Sequence, residues 1–128
     1  MAGEPILIVD DNATNLKLAD VILAADGYKV RTAIDAEHAI EVLKEFEPQL
    51  ILMDIQLPGI DGLEFTRQLK ANPRTQTVTI VALTAYAMKG DEAKAIASGC
   101  SGYISKPINT REFGAQVARY LQRESAHA

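Results

Sequence analysis

Several kinds of residue and segment are scarce in this 128-residue chain, and each scarcity excludes a class of protein. A single cysteine, Cys100, rules out an intramolecular disulfide and a cysteine-based zinc site, and it favours a small buried thiol. No apolar run approaches the roughly 20 residues that cross a bilayer, and the N-terminus lacks the basic and apolar regions of a secretory signal. The net charge of −4, without a run of lysine or arginine, argues against nucleic acid or an anionic membrane as the main partner. We therefore expect a cytoplasmic protein.

The remaining composition is typical of one globular domain. Apolar residues make up 48% of the chain and charged residues 23%, and the sequence has no repeat, low-complexity tract or linker. A domain of this length buries roughly two thirds of the surface that its unfolded chain exposes, which is enough for a core of its own. We expect residues 1–128 to form a single domain, with no output domain after residue 122.

Five short apolar runs alternate with five helix-length segments. The runs show little polar alternation, which is typical of strands covered on both faces. Right-handed connections between such strands predict an α/β fold, with a doubly wound, five-stranded parallel sheet between two helical layers. The predicted strands are 6–10, 28–33, 50–54, 79–84 and 102–106. The predicted helices cover 14–26, a segment capped by Asp35, the segment after the GIDG turn (59–62), 89–98, and a segment from about Asn109.

Two details of these helices follow from the sequence. The apolar positions of the second helix are Ala36, Ala39, Ile40 and Leu43. Asn109 and Glu112 have the spacing of a capping box, so we expect the fifth helix to begin near Asn109.

Polar side chains stand where four of the predicted strands end. Asp10 and Asp11 end the first strand, Asp54 the third, Thr84 the fourth and Lys106 the fifth. In a parallel sheet the carboxyl ends of the strands share one edge, and ligands bind in the crevice where the strand order reverses. The sequence therefore predicts that these side chains gather at one site.

Three carboxylates at one site repel one another strongly. Two unit charges ~5 Å apart at an effective dielectric constant of ~20 repel by about 3 kcal/mol, so three pairs cost on the order of 10 kcal/mol. Either some of the carboxyl groups stay protonated or cations neutralise them. Lys106 supplies one positive charge, and an all-oxygen ligand set favours Mg²⁺, with Mn²⁺ as a substitute. We expect the crevice to leave Asp54 in contact with water.

A hydroxyl, an ammonium and a hard cation around one carboxylate are also suited to phosphoryl transfer. A carboxylate can attack phosphorus to give an acyl phosphate, and the positive groups then neutralise charge on the phosphoryl oxygens.

The chain resembles the receiver domains of bacterial two-component response regulators over essentially its full length. The matching segments are LIVDDN (7–12), LILMDIQLPGIDG (50–62), ALTAYA (82–87) and YISKPI (103–108). The segments DDNATNLKL (10–18) and TAYAMKGDEAKAIASGC (84–100) are similar to stand-alone cell-division receivers of the DivK type, and to receivers fused to hybrid histidine kinases. The resemblance implies the flavodoxin-like strand order 2-1-3-4-5, which places strands 1 and 3 side by side.

The resemblance also implies roles for the polar residues. Asp54 would be the phosphoacceptor, and its donor would be a phosphohistidine on a sensor kinase or phosphotransfer protein. Asp11, Asp54 and the backbone carbonyl of Gln56 would bind Mg²⁺ directly, and Asp10 largely through water. Lys106 would pair with Asp54 and later with the phosphoryl group. The Lys106–Pro107 peptide bond would be cis, and the turn that it fixes would position the lysine. No small-molecule cofactor, nucleic acid or membrane is implied.

Thr84 and Tyr103 match the switch pair of the family. The resemblance implies that the Thr84 hydroxyl moves toward the phosphoryl group while the Tyr103 ring turns inward. This movement would remodel the face formed by helix 4, strand 5 and helix 5, where a downstream protein binds.

Simpler interpretations stand beside these roles. Asp10 and Asp11 would suit a helix N-terminus, although Asn12 is better placed to cap the first helix. Thr84 could simply cap the segment that follows it, although the site role is favoured, and Tyr103 could be an ordinary core residue. Tyr86 could gate the site or belong to the loop surface. His38 and His127 lie away from the acidic edge, so we expect neither to be a phosphodonor.

Three other functions compete with the main interpretation. A haloacid-dehalogenase-like phosphohydrolase has its nucleophile in a DxD motif after the first strand. This chain has Asp10, Asp11 and Asn12 there and so lacks the second acid of that motif. A flavodoxin-like protein would need a phosphate-binding Ser/Thr/Gly loop after strand 1, which is missing. A receiver that docks without phosphorylation would not require this cluster of charges.

Overall fold

Five strands and five helices alternate along the described part of the chain, as the sequence predicts. The computed structural model of the protein describes residues 3–84 and 89–126. The strands are β1 (Pro5–Val9), β2 (Lys29–Ala33), β3 (Leu50–Asp54), β4 (Thr79–Thr84) and β5 (Gly102–Ser105). The helices are α1 (Ala13–Ala25), α2 (Ala36–Leu43), α3 (Gly62–Ala71), α4 (Lys89–Ala97) and α5 (Phe113–Ala126).

All neighbouring strands are parallel, and their order in the sheet is β2-β1-β3-β4-β5. The predicted α/β fold and the strand order implied by the resemblance are therefore confirmed. The register pairs Val9 of β1 with Met53 of β3, so the next residues along the two strands, Asp10 and Asp54, are neighbours at the carboxyl edge. The strand order thus places the side chains of Asp10 and Asp54 beside each other.

The three central strands are buried on both faces, which explains their continuous apolar sequences. Alternate side chains enter two separate cores: Leu7 and Val9 face one cluster, and Ile6 and Ile8 face the other. The first cluster includes side chains of α2, α3 and α4, and the second includes side chains of α1 and α5. Burying each large aliphatic side chain stabilises the fold by about 1.5–3 kcal/mol.

The helix ends follow local signals in the sequence. Asn12 caps α1 by accepting the backbone N–H of Asn15 at 3.0 Å, and Asp35 caps α2 by accepting that of His38 at 2.8 Å. Among the described residues no helix is both long and apolar enough to span a membrane.

Two details of the helices differ from their apolar and capping patterns. Ile40, one of the apolar positions of α2, is 46% exposed, whereas Ala36 and Ala39 are buried. α5 begins at Phe113 rather than near Asn109, although the Asn109 carbonyl already accepts the N–H of Phe113 at 2.9 Å. The predicted capping box does not form, because the Asn109 side chain accepts the N–H of Arg111 at 3.0 Å. That bond spans two residues and closes a turn, whereas a capping box spans three.

Candidate functional site

The carboxyl edge of the sheet holds a compact group of two acids and one lysine. Nζ of Lys106 lies 2.8 Å from Oδ2 of Asp10 and 3.2 Å from Oδ2 of Asp54. Asp10 follows β1 directly, Asp54 ends β3, and Lys106 follows β5. The Lys106–Pro107 peptide bond is cis. The pair of Lys106 with Asp54 that the resemblance implies is present, and Asp10 is the nearer partner of the lysine.

Backbone hydrogen bonds orient both acidic side chains. Oδ1 of Asp10 accepts the N–H of Asn12 at 2.9 Å, and Oδ1 of Asp54 accepts the N–H of Gln56 at 2.9 Å. In each acid, therefore, Oδ1 accepts the backbone N–H of the residue two positions later, and Oδ2 faces the ammonium group of Lys106. The two carboxyl groups are consequently fixed in place before any ligand binds.

The expectation that water solvates Asp54 is wrong. Asp54 is 4% exposed and Asp10 is 1% exposed, whereas Asp11 is exposed to solvent. The cause is the central position of β3, whose apolar neighbours surround the acid, together with the Lys106 side chain, which is itself only 13% exposed. Asp11, by contrast, lies one residue beyond Asp10, outside the crevice floor.

The electrostatic consequences differ between the acid and the lysine. Burial raises the pKa of Asp54 above its usual value, the Asp10 charge adds to this effect, and the Gln56 N–H and Lys106 offset it only in part. Burial acts to lower the pKa of Lys106, but contact with Asp10 and Asp54 outweighs it, so the pKa of Lys106 is raised. Lys106 therefore stays charged at neutral pH.

The chemistry of the acidic residues fits a divalent cation. Asp10, Asp11 and Asp54 each offer a carboxylate oxygen, and these oxygens lie within 4.8 Å of one another. Oδ2 of Asp10 is also buried and, apart from its ionic contact with Lys106, has no well-aligned hydrogen bond from the described residues. An oxygen-only set of this kind suits Mg²⁺ or Mn²⁺ better than zinc. The Gln56 carbonyl remains a predicted ligand.

Thr84 and Tyr103 lie on the adjacent strands β4 and β5. Thr84 is buried, and its carbonyl accepts the N–H of Lys106 at 2.7 Å, which ties the end of β4 to the lysine. Tyr103 is half-buried against the first core cluster, and its carbonyl accepts the Tyr120 hydroxyl at 3.4 Å. Cavities of about 230 and 310 Å³ adjoin Tyr103 along α5. Tyr86 lies outside the described residues.

The remaining candidates lie apart from this group. Cys100 is buried, as predicted, and its burial raises the pKa of the thiol. Nδ1 of His38 accepts the N–H of Ile34 at 3.2 Å on the surface of α2. A cavity of about 570 Å³ opens between the α2–β3 and α3–β4 connections and includes none of the predicted site residues.

Gly62 lies against the peptide that follows Asp54, and sequence reasoning did not single it out. It is the first residue of α3, it is buried, and its N–H donates to the carbonyl of Ile55 at 3.3 Å. The available signal was the glycine after the helix cap Asp61, within a segment that already matched the receiver family.

Comparison with known proteins agrees with this geometry. The profile of the response regulator receiver domain matches residues 6–118. The polar-differentiation response regulator DivK of Brucella anthropi is 41% identical over 116 residues, which cover 91% of this chain and 94% of that protein.

Two solved structures have the same fold. A CheY-like response regulator receiver domain protein from Methanospirillum hungatei has a TM-score of 0.89 at 26% identity, covering 99% of this chain and 100% of that one. The receiver domain of a signal transduction histidine kinase from Syntrophus aciditrophicus has a TM-score of 0.84 at 28% identity, covering 94% and 92%. With a family profile that covers most of its length and a curated relative of this similarity, the chain belongs to the response regulator receiver domain family.

Proposed function

We propose that residues 1–128 act as one receiver domain in the cytoplasm, which accepts a phosphoryl group on Asp54 and signals through protein contacts. The donor is a phosphohistidine on a sensor kinase or a histidine phosphotransfer protein. The observation that carries this proposal is the ion-paired group of Asp10, Asp54 and Lys106 at the carboxyl edge of the sheet. The protein turns over no separate substrate; it promotes only its own phosphorylation and dephosphorylation.

The transfer itself is a displacement at phosphorus. A carboxylate oxygen of Asp54 forms the new P–O bond while the N–P bond of the donor imidazole breaks. The bonding electron pair leaves with the imidazole nitrogen, which takes up a proton. The backbone bond from Gln56 holds the Asp54 carboxylate in one orientation, so little rearrangement precedes the attack.

Positive charge at the site favours this displacement. Mg²⁺ held by Asp11, Asp54 and the Gln56 carbonyl, with Asp10 acting largely through water, would supply charge that neutralises the phosphoryl oxygens. Lys106 lies 3.2 Å from Asp54, close enough to shift its ammonium from the carboxylate to a phosphoryl oxygen. Thr84, at the end of the neighbouring strand β4, provides a hydroxyl donor for a further oxygen.

The signal leaves the site through β4 and β5. The Thr84 hydroxyl would move toward the phosphoryl group, and the half-buried Tyr103 ring would follow by turning inward. The face formed by α4, β5 and α5 would then present a different surface to a downstream protein. The half-burial of Tyr103 against the first core cluster supports this proposal, because the ring already lies at the boundary between core and surface.

A small phosphodonor tests the acceptor assignment without a partner protein. Acetyl phosphate or phosphoramidate with Mg²⁺ should phosphorylate the wild type, and Asp54→Asn should lose the added mass. A wild type that stays unmodified under these conditions would remove the basis of the proposal. Continuous release of phosphate from a phosphomonoester would instead favour a phosphohydrolase.

A further inference from the structure

The first turn of α3 rests directly on the peptide group that follows Asp54. A Cβ atom added at Gly62 would overlap the carbonyl oxygen of Asp54, and it would lie 2.8 Å from the carbonyl carbon of Asp54 and from Cα of Ile55. These neighbours are backbone atoms in the crevice floor, which cannot rotate away as the end of a flexible side chain can.

The requirement for glycine at this position is steric. Among the described residues the glycines with positive φ are Gly3, Gly27, Gly59 and Gly99, and Gly62 is not one of them. Its backbone conformation is therefore open to alanine, which is a better helix former than glycine. What excludes a side chain is the close approach of α3 to the end of β3.

The same peptide segment carries the chemistry of the proposed site. The N–H of Gln56 fixes Oδ1 of Asp54, and the Gln56 carbonyl is the predicted backbone ligand of the cation. The N–H of Ile55 donates to the Leu83 carbonyl at 3.2 Å, and the carbonyl of Ile55 accepts the N–H of Gly62 at 3.3 Å. The segment 54–56 is thus held by β4 on one side and by α3 on the other.

Thr66 fixes Gly62 in turn. Thr66 is fully buried, and its hydroxyl donates to the carbonyl of Gly62 at 2.8 Å. The first turn of α3 is therefore braced from within the helix as well as by its contact with β3.

From these contacts we infer that Gly62 is a positioning residue for the cation site, and that Thr66 supports it. By letting α3 lie on the Asp54–Ile55 peptide, Gly62 sets where the Asp54 carboxylate and the Gln56 carbonyl stand relative to Asp11. The inference rests on the metal-binding part of the proposed function. Residues that orient metal ligands in this indirect way typically change metal affinity by about 10- to 100-fold when they are substituted.

The inference is tested by measuring the affinity of the purified protein for Mg²⁺. Mg²⁺ alone is titrated into the protein, without a phosphodonor. Gly62→Ala should bind Mg²⁺ at least about tenfold more weakly than wild type. In the metal-free protein the same substitution should also move the NMR resonance of the Gln56 amide. Val42→Ala is the matched control, because it truncates a buried side chain of α2 and should lower stability without changing Mg²⁺ affinity.

Thr66 keeps the inference testable if Gly62→Ala does not fold. Thr66→Val removes the hydroxyl and keeps the shape, so it should weaken Mg²⁺ binding, and Thr66→Ser should restore it. Wild-type affinity in Gly62→Ala, or in Thr66→Val where Gly62→Ala is unfolded, would overturn the inference while leaving the proposed function intact. A wild type that binds no Mg²⁺ would instead contradict the proposed function.

Discussion

Nζ of Lys106 lies 2.8 Å from Oδ2 of Asp10, a carboxylate that is 1% exposed. The lysine therefore neutralises a carboxylate that is buried away from water. It also makes a longer ionic contact, of 3.2 Å, with Asp54. This arrangement gives the site a net negative charge that a divalent cation would reduce, and it links the stability of the fold to the chemistry of the site.

The first prediction concerns the loss of the lysine. Lys106→Met should lower the free energy of unfolding by about 3 kcal/mol at neutral pH, because it leaves two buried carboxylates without their cation. Chemical denaturation in the presence of a chelator measures this change. Lys94→Met, at an exposed position on α4, is the control and should have little effect. Equal stabilities for the two variants would contradict the ion-pair account.

The second prediction is a dependence of stability on pH in the metal-free protein. Burial raises the pKa of Asp54, so the folded state binds this proton more tightly than the unfolded state does. The free energy of unfolding should therefore increase as the pH is lowered through the raised pKa of Asp54 in the folded state. The increase should be complete below 3.8, the ordinary pKa that Asp54 has in the unfolded chain, and it should be lost when the pH is raised again.

The contribution of Asp54 can be isolated by substitution. Asp54→Asn should remove this part of the pH dependence, and it should be more stable than wild type at neutral pH when metal is absent. Unfolding curves from pH 4 to 8 test both statements. A wild type that loses stability relative to Asp54→Asn as the pH falls would show that the sign is wrong.

The third prediction concerns Mg²⁺ and Asp11. At about 100 times its dissociation constant, Mg²⁺ should stabilise the wild type by about 2.7 kcal/mol, because a ligand that binds only the folded state shifts the unfolding equilibrium. Asp11→Asn should abolish most of this gain and leave the metal-free stability nearly unchanged, since Asp11 is exposed.

Thermal unfolding with and without Mg²⁺ measures the effect of Asp11. Glu47→Gln removes an exposed carboxylate at the α2–β3 connection and should keep the full gain. If Asp11→Asn kept the gain too, Asp11 would not be a ligand.

The fourth prediction separates phosphorylation from the switch. Thr84→Ala should still accept a phosphoryl group on Asp54, although more slowly, because Lys106 and the acidic residues remain. The resonance changes that phosphorylation produces in β5 and α5 should shrink markedly, since the hydroxyl that links the site to Tyr103 is absent. NMR spectra of both proteins before and after treatment with phosphoramidate provide the comparison. Undiminished changes in α5 would show that Thr84 does not transmit the signal.

Much of the fold follows from the sequence because its signals are local and periodic. Asp54 and Lys106 were identifiable as site residues because each interrupts or follows an apolar strand of a parallel sheet. The start of α5 was predicted wrongly for a local reason, because the Asn109 side chain closes a turn with Arg111 instead of forming the capping box that the spacing allows. The exposure of Ile40 depends on neighbours distant in sequence, which the apolar pattern of α2 does not include. The same limit applies to the burial of Asp54, which arises from the strands beside β3 and from the lysine above it. The role of Gly62 depends on how closely α3 approaches β3, which spacing along the chain does not reveal.

The most direct test of the account is to locate the phosphoryl group. The wild type is phosphorylated by a phosphohistidine-bearing kinase or phosphotransfer domain in the presence of Mg²⁺, the acyl phosphate is trapped by reduction with borohydride, and the modified residue is identified by mass spectrometry. Asp54 alone should be modified in the wild type, and no residue should be modified in Asp54→Asn or in the presence of a chelator. Modification of another residue, or an unchanged yield in Asp54→Asn, would contradict the account.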